Sequence, residues 1–148
     1  MNTEQQTQEF LAAFLTSGLD VTEVVPPWLI QGTEHLGFVY RHLLYSGGEW
    51  RYERRTVGNG WHWPVRAPDH EAACLILRAM QDRLDEVGVE VVIAYRAPLG
   101  FQVRRAGESL VQYDDGSVEW LHTDRPTTFY SRPLATLAAF LAVKGGAK

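Results

Sequence analysis

The stretch FQVRRAGESLVQYDDGSVEWL, residues 101–121, decides the fold class. It holds three short runs rich in β-branched and aromatic residues, 101–105, 109–113 and 117–121, punctuated by turn residues. Asp114-Asp115-Gly116 joins the last two, and Asp-Gly is a strong signal for a tight hairpin turn. A side-chain period of two places Phe101, Val103, Val118 and Trp120 on one face. Gln102, Arg104 and Glu119 then share the other. One apolar and one polar face predict an antiparallel sheet with a single side covered.

The same grammar recurs upstream. Runs 36–45 and 49–57 are joined through Ser46-Gly47-Gly48, a second hairpin signal. Phe38, Tyr40, Trp50 and Tyr52 are expected to face inward, and Arg41, Glu49, Arg51 and Arg55 outward. A further strand is expected at 89–96. Run 21–25 is β-branched and reads as a strand, broken by Pro26-Pro27 before Trp28-Leu29-Ile30, which suits an edge. Helices flank these runs. Phe10, Leu11, Phe14 and Leu15 form the apolar face of a helix at 3–17, with Thr3 and Gln6 spaced as a capping box. A second helix is expected at 69–86, with Ala73, Leu77, Met80, Leu84 and Val87 at helical steps, and a third at 132–143 behind Ser131 as cap.

Together these predict an α+β domain spanning 1–148: one antiparallel sheet of about six strands with three helices, in the order α-β-β-β-α-β-β-(β)-α. Short echoes suggest an internal α-β-β-β duplication with halves 1–67 and 68–148. Gly18-Leu19-Asp20-Val21 is echoed by Gly88-Val89-Glu90-Val91, Leu36-Gly37-Phe38 by Leu99-Gly100-Phe101, and Glu49-Trp50 by Glu119-Trp120.

Composition narrows the function classes. Fourteen basic residues against 18 acidic give a net charge of −4, which disfavours generic polyanion binding. One cysteine, Cys74, excludes an internal disulfide. No apolar run approaches a membrane span, and Met1-Asn2-Thr3-Glu4 lacks the charged start of a signal peptide, so a cytoplasmic protein is expected. Of the basic residues only Lys144 and Lys148 are not arginine; codon bias accounts for this as readily as a demand for bidentate contacts does.

Few residues nominate a site. His70 and Cys74 have the i, i+4 spacing of a metal edge, but no CxxC or HExxH accompanies them, so no metal or cofactor is expected and Cys74 is read as a core filler. Trp61-His62-Trp63-Pro64 makes either an aromatic platform or a plug for the sheet end. Arg51, Arg54, Arg55 and Arg66, interleaved with Tyr52, Trp61 and Trp63, have the composition of a single-stranded nucleic-acid groove, diluted by Glu49 and Glu53. Asp114-Asp115 reads as turn chemistry and not as an acid/base pair. His35, His42 and His122 are scattered, and Gly58-Asn59-Gly60 is not a phosphate loop. No catalytic residue is assigned. The candidate binding residues are Arg51, Arg54, Arg55, Trp61, Trp63 and Arg104.

The helix ending Phe14-Leu15-Thr16-Ser17-Gly18-Leu19-Asp20-Val21, then Trp28-Leu29-Ile30, then the hairpin through Gly47-Gly48, resembles the YbjN family and the related type III secretion chaperone fold. The helix 71–80 behind a Trp-containing strand also looks like small phage-encoded α/β sandwich proteins. The first resemblance implies a small acidic protein, often dimeric, that binds partner polypeptides and does not catalyse. The expected function is accordingly a non-enzymatic protein-binding module, chaperone-like or adaptor, acting as a homodimer. The alternatives are a single-stranded nucleic-acid-binding protein or a small-molecule-binding domain.

Overall fold

Gly47 and Gly48 both adopt positive φ, 61° and 79°, the backbone of a two-residue type I′ turn whose twist matches that of paired strands. This turn builds the first sheet, and a second pair of positive-φ residues, Ala106 and Gly107, builds the second. The structure, a computed structural model, describes residues 3–26, 30, 34–35, 38–55, 65–87, 91–97 and 99–145. Side chains are described at these positions except 34–35, 38–41 and 54–55. The chain is α+β. Among the described residues the order is α1 (Thr3–Thr16), α2 (Val21–Val24), β1 (Glu34–His35), β2 (Phe38–Ser46), β3 (Glu49–Arg55), β4 (Val65–Arg66), α3 (Asp69–Glu86), β5 (Val91–Arg96), β6 (Gly100–Arg105), β7 (Glu108–Gln112), β8 (Val118–Leu121) and α4 (Arg132–Gly145).

The strands form two antiparallel meanders of four, β1-β2-β3-β4 and β5-β6-β7-β8, in place of the expected single sheet of about six. Local patterning marks strands but not the partner across a long connection, and here every strand pairs with its sequence neighbours. The chain divides into two compact units: 18–79, and 1–17 together with 80–148. Helix α3 passes from one to the other after Ala79. The repeat halves expected at 1–67 and 68–148 are a different division. Leu36-Gly37-Phe38 and Leu99-Gly100-Phe101 do lead into the second strand of each sheet, whereas Glu49-Trp50 opens the third strand of one and Glu119-Trp120 lies in the fourth of the other.

In unit 18–79 the expected strand at 21–25 is a single helical turn. Asp20 Oδ1 accepts from the Thr22 N–H at 2.9 Å and its hydroxyl at 2.8 Å, an N-cap that overrides the β preference of Val21 and Val24. Ile30 is helical and buried, so it is not part of a strand as expected, while Trp28 and Leu29 lie outside the described residues. Strands β2 and β3 pair from Val39↔Arg55 to Ser46↔Glu49, with a bulge at Arg41. Leu43, Trp50 and Tyr52 are buried on the face that also carries Tyr45. Tyr45 packs on Trp50 at 5.1 Å between ring centroids. The Tyr52 hydroxyl donates to Glu71 Oε2 at 3.1 Å, tying β3 to the first turn of α3. The inward placement expected for Phe38 and Tyr40 falls on side chains outside the described set.

In the other unit α4 lies on the second sheet. Ser131 caps it through its hydroxyl, which accepts from the Leu134 N–H at 3.4 Å. Ala135, Ala138, Ala139 and Ala142 repeat at helical spacing and bring the helix close to Val103 and Leu110. Val91, Ile93, Phe101, Val118 and Trp120 pack around this core. Helix α1 also contacts α4, and its Phe10, Leu11 and Phe14 are buried. On the opposite sheet face Arg104 and Glu119 are exposed as expected, but Gln102 and Ser109 are buried. The Gln102 carbonyl oxygen accepts from Arg104 Nη2 at 3.3 Å, which offsets the cost of burying the amide.

The second meander is interrupted at one place. Strands β6 and β7 pair only at Arg104↔Ser109 and Arg105↔Glu108. Beyond that the segment 127–129 inserts between them. Phe101 and Phe129 exchange backbone bonds of 2.9 and 2.8 Å, and the Thr127 N–H donates to Leu110 O at 3.1 Å. Gly100 makes this possible: its φ is 126°, and a Cβ there would lie 2.5 Å from Phe129 O.

Candidate functional site

Alternation along β6 and β7 puts three polar side chains where apolar ones are the rule. Arg105 shares the face of Phe101 and Val103, and Glu108 and Gln112 share that of Leu110. They line a cleft of about 910 Å³ within the unit formed by 1–17 and 80–148. Its opposite wall is the flank of α4, with Leu134, Leu137 and Leu141 one helical turn apart, and Ala13 at the end of α1. Edge strand β8 closes the side, with Val118 and Trp120 on the cleft face and Glu119 and Asp115 at the rim.

The polar groups are held in place. Arg105 Nη2 pairs with Glu108 Oε1 at 3.3 Å across the turn, and its guanidinium lies 4.4 Å above the Trp120 ring. Trp120 Nε1 is buried and finds no hydrogen-bond acceptor among the described residues. Asp115 Oδ1 accepts from the Ser117 N–H at 2.9 Å and its hydroxyl at 2.6 Å, and these bonds hold its carboxyl below the usual range. Glu119 accepts from the Tyr113 hydroxyl, and that bond raises the phenol above its ordinary value. Among the described residues Arg105 is the only cation on the lining, against Glu108, Asp115 and Glu119. The cleft has apolar walls from α4 and β8, the polar side chains of Arg105, Glu108 and Gln112 on the sheet between them, and an acidic rim.

Strand β8 also presents main-chain groups. The Tyr113 N–H donates to Ser117 O at 2.9 Å, which sets the hydrogen-bonding phase of the hairpin. In the alternate pairs Gln112↔Val118 and Leu110↔Trp120 the peptide groups then point away from the partner strand. On the β7 side they are used: Leu110 O accepts from Thr127, and the Gln112 N–H donates to Thr127 Oγ1 at 2.8 Å. On the β8 side the N–H and C=O of Val118 and Trp120 have no protein partner among the described residues.

The residues singled out from sequence fall elsewhere. Arg51 belongs to unit 18–79, is half-buried, and pairs with Glu49 at 3.0 Å. Arg104 belongs to the other unit and is exposed beside Gln102. Arg54 and Arg55 lie in β3, with side chains outside the described set, and Trp61 and Trp63 lie outside the described residues. Cys74 is exposed, a correction to its expected burial: the buried stripe of α3 runs through Ala72, Ala73, Ile76, Ala79 and Met80, and Cys74 falls off it. His70 is exposed as well, and no group of three or more potential metal ligands occurs among the described residues. Asp114-Asp115-Gly116 is a turn, as expected. Sequence reasoning passed over Arg105, Glu108 and Gln112, although charged and amide side chains on the inward parity of adjacent strands are a legible signal.

Comparison with known proteins returned no match to the chain, whether from family models, curated proteins or solved structures. Among the described residues no helix is long and apolar enough to cross a membrane.

Proposed function

We propose that the chain is a non-enzymatic protein-binding module, chaperone-like or adaptor in role, whose cleft takes a segment of a partner polypeptide. The observation that carries this is the cleft itself, a groove with apolar walls running beside a strand edge whose main-chain groups have no partner among the described residues. A groove between a helix and a free edge is where an extended peptide can add as a strand, its backbone supplying affinity and its alternate side chains supplying selectivity. The volume also suits a small amphipathic molecule, which is the second reading. The acidic rim works against a polyanion, so single-stranded nucleic acid ranks below both.

The homodimer expected from sequence is a separate part of the proposal. Tyr95, Leu99 and Tyr130, exposed by 58, 66 and 78%, lie near the Phe101–Phe129 bridge and supply aromatic and aliphatic surface for it. Light scattering across a concentration series reads it, with a constant monomer mass as the contrary result.

Selection of random displayed peptides against the full chain tests the main reading, with Leu141→Arg as counter-selection and its melting curve as a folding check. Enriched peptides are expected to bind the chain and to lose affinity for the variant. A selection that enriches no peptide dependent on Leu141 overturns the reading.

A further inference from the structure

We infer that the segment β8 accepts is an extended peptide in which apolar residues alternate with Lys or Arg. This rests on the protein-binding reading and names the partner's chemistry. An added strand has period two, so its side chains fall alternately on the two faces of the sheet. On the cleft face they would meet Val118, Trp120 and the Leu134 and Leu141 side of α4, the apolar part of a lining that also carries the Arg105–Glu108 pair and Gln112. On the other face the neighbours are Glu119, which is exposed, and the partly buried Leu121, and Asp115 stands at the end of the strand with its carboxylate favoured by Ser117. Opposite charges across neighbouring strands attract, and like charges repel. Apolar residues are thus matched on one parity and cations on the other.

The same carboxylate weighs against a second copy of β8 as occupant. Antiparallel self-pairing of Val118–Leu121 brings Glu119 of each strand near the other, one of the ways edge strands avoid self-association. The N–H and C=O of Val118 and Trp120, which have no partner among the described residues, are the groups such a strand would bond.

Titration of the full chain with Ac-Lys-Val-Lys-Leu-Lys-Val-NH2 tests this, followed by amide NMR shifts and calorimetry. The controls are the peptides with Ser or Glu in place of every Lys, and the Lys peptide N-methylated at alternate residues in each of the two phases. The Lys peptide is expected to shift the amides of 118–121, and to bind about tenfold more tightly than the Glu peptide at low salt, as about two solvent-exposed pairs allow when attraction is replaced by repulsion. One N-methylated phase should lose binding and the other keep it. Glu119→Gln should narrow the Lys-to-Glu difference. If Lys, Ser and Glu peptides shift 118–121 and bind alike, the cationic preference is wrong while peptide binding stands. If none of them shifts these amides, strand addition at β8 is wrong. If the shifts appear on concentrating the protein alone, the occupant is a second copy and this inference is overturned.

Discussion

The two hairpins β2–β3 and β6–β7 start from nearly the same local chemistry and end differently. Each turns through two residues of positive φ, Gly47-Gly48 in one and Ala106-Gly107 in the other. Each turn is followed by a glutamate paired with an arginine, Glu49 with Arg51 and Glu108 with Arg105. The first hairpin zips over nearly its whole length, through a bulge, to Val39↔Arg55. The second stops after two pairs, and Thr127 and Phe129 take up the backbone groups that the strands no longer exchange. Turn chemistry therefore starts a hairpin without setting its length. Length is set by what competes for the next rung, and in β6–β7 the competitor is a segment admitted by the missing side chain of Gly100. The cleft and its row of inward polar residues lie on the sheet that splays.

Breaking the splayed hairpin should cost most. Phe129→Ala removes a buried ring at the insertion and is expected to destabilise by about 3–5 kcal/mol, read from chemical denaturation. Gly100→Ala meets both the Phe129 carbonyl and an unfavourable φ, and should cost about 2–4 kcal/mol. Gly47→Ala, at the turn of the zipped hairpin, meets strain but no clash within 3.9 Å, and should cost only about 1 kcal/mol. If the Gly100 and Gly47 variants melt alike, the insertion is not what limits pairing in β6–β7. Ala106→Gly relieves the φ of 44° that Gly47 never has to tolerate, and should stabilise by about 0.5–1 kcal/mol.

The smallest effect is one of pH. Asp115 has its carboxyl lowered by the Ser117 N–H and hydroxyl, so its contribution is present at neutral pH. It is lost as pH falls from the ordinary carboxylate range through the depressed native value. Thermal melts on acidification should show a slightly shallower loss for Asp115→Ala than for the parent chain, whereas no such difference is expected at the Gly47-Gly48 turn, which has no carboxylate of its own.

Elements whose signals are local were legible. Helix α3 occupies 69–86 as the periodicity predicted, Ser131 caps α4, and the glycine turns form where Gly47-Gly48 and Asp114-Asp115-Gly116 placed them. Two kinds of feature were not. Val21–Val24 reads as β because propensity looks at the side chains, while the bonds that decide its conformation come from Asp20 before them. The division into two sheets and the insertion of 127–129 depend on pairing between distant segments, and no periodicity within 127–129 announces it. The cleft was half legible. Arg105, Glu108 and Gln112 stand on the inward parity in plain view, but the gap they line exists only once α4 and β8 are in place.

The exposed rung at Val118 and Trp120 has a bearing on solubility. Main-chain groups that can take one more strand can in principle take an unlimited stack of them, which is how fibrils grow. On a strand as short as β8, with apolar Val118, Trp120 and Leu121 around it, the single carboxylate of Glu119 is what keeps the exposed edge from being a place where aggregation nucleates.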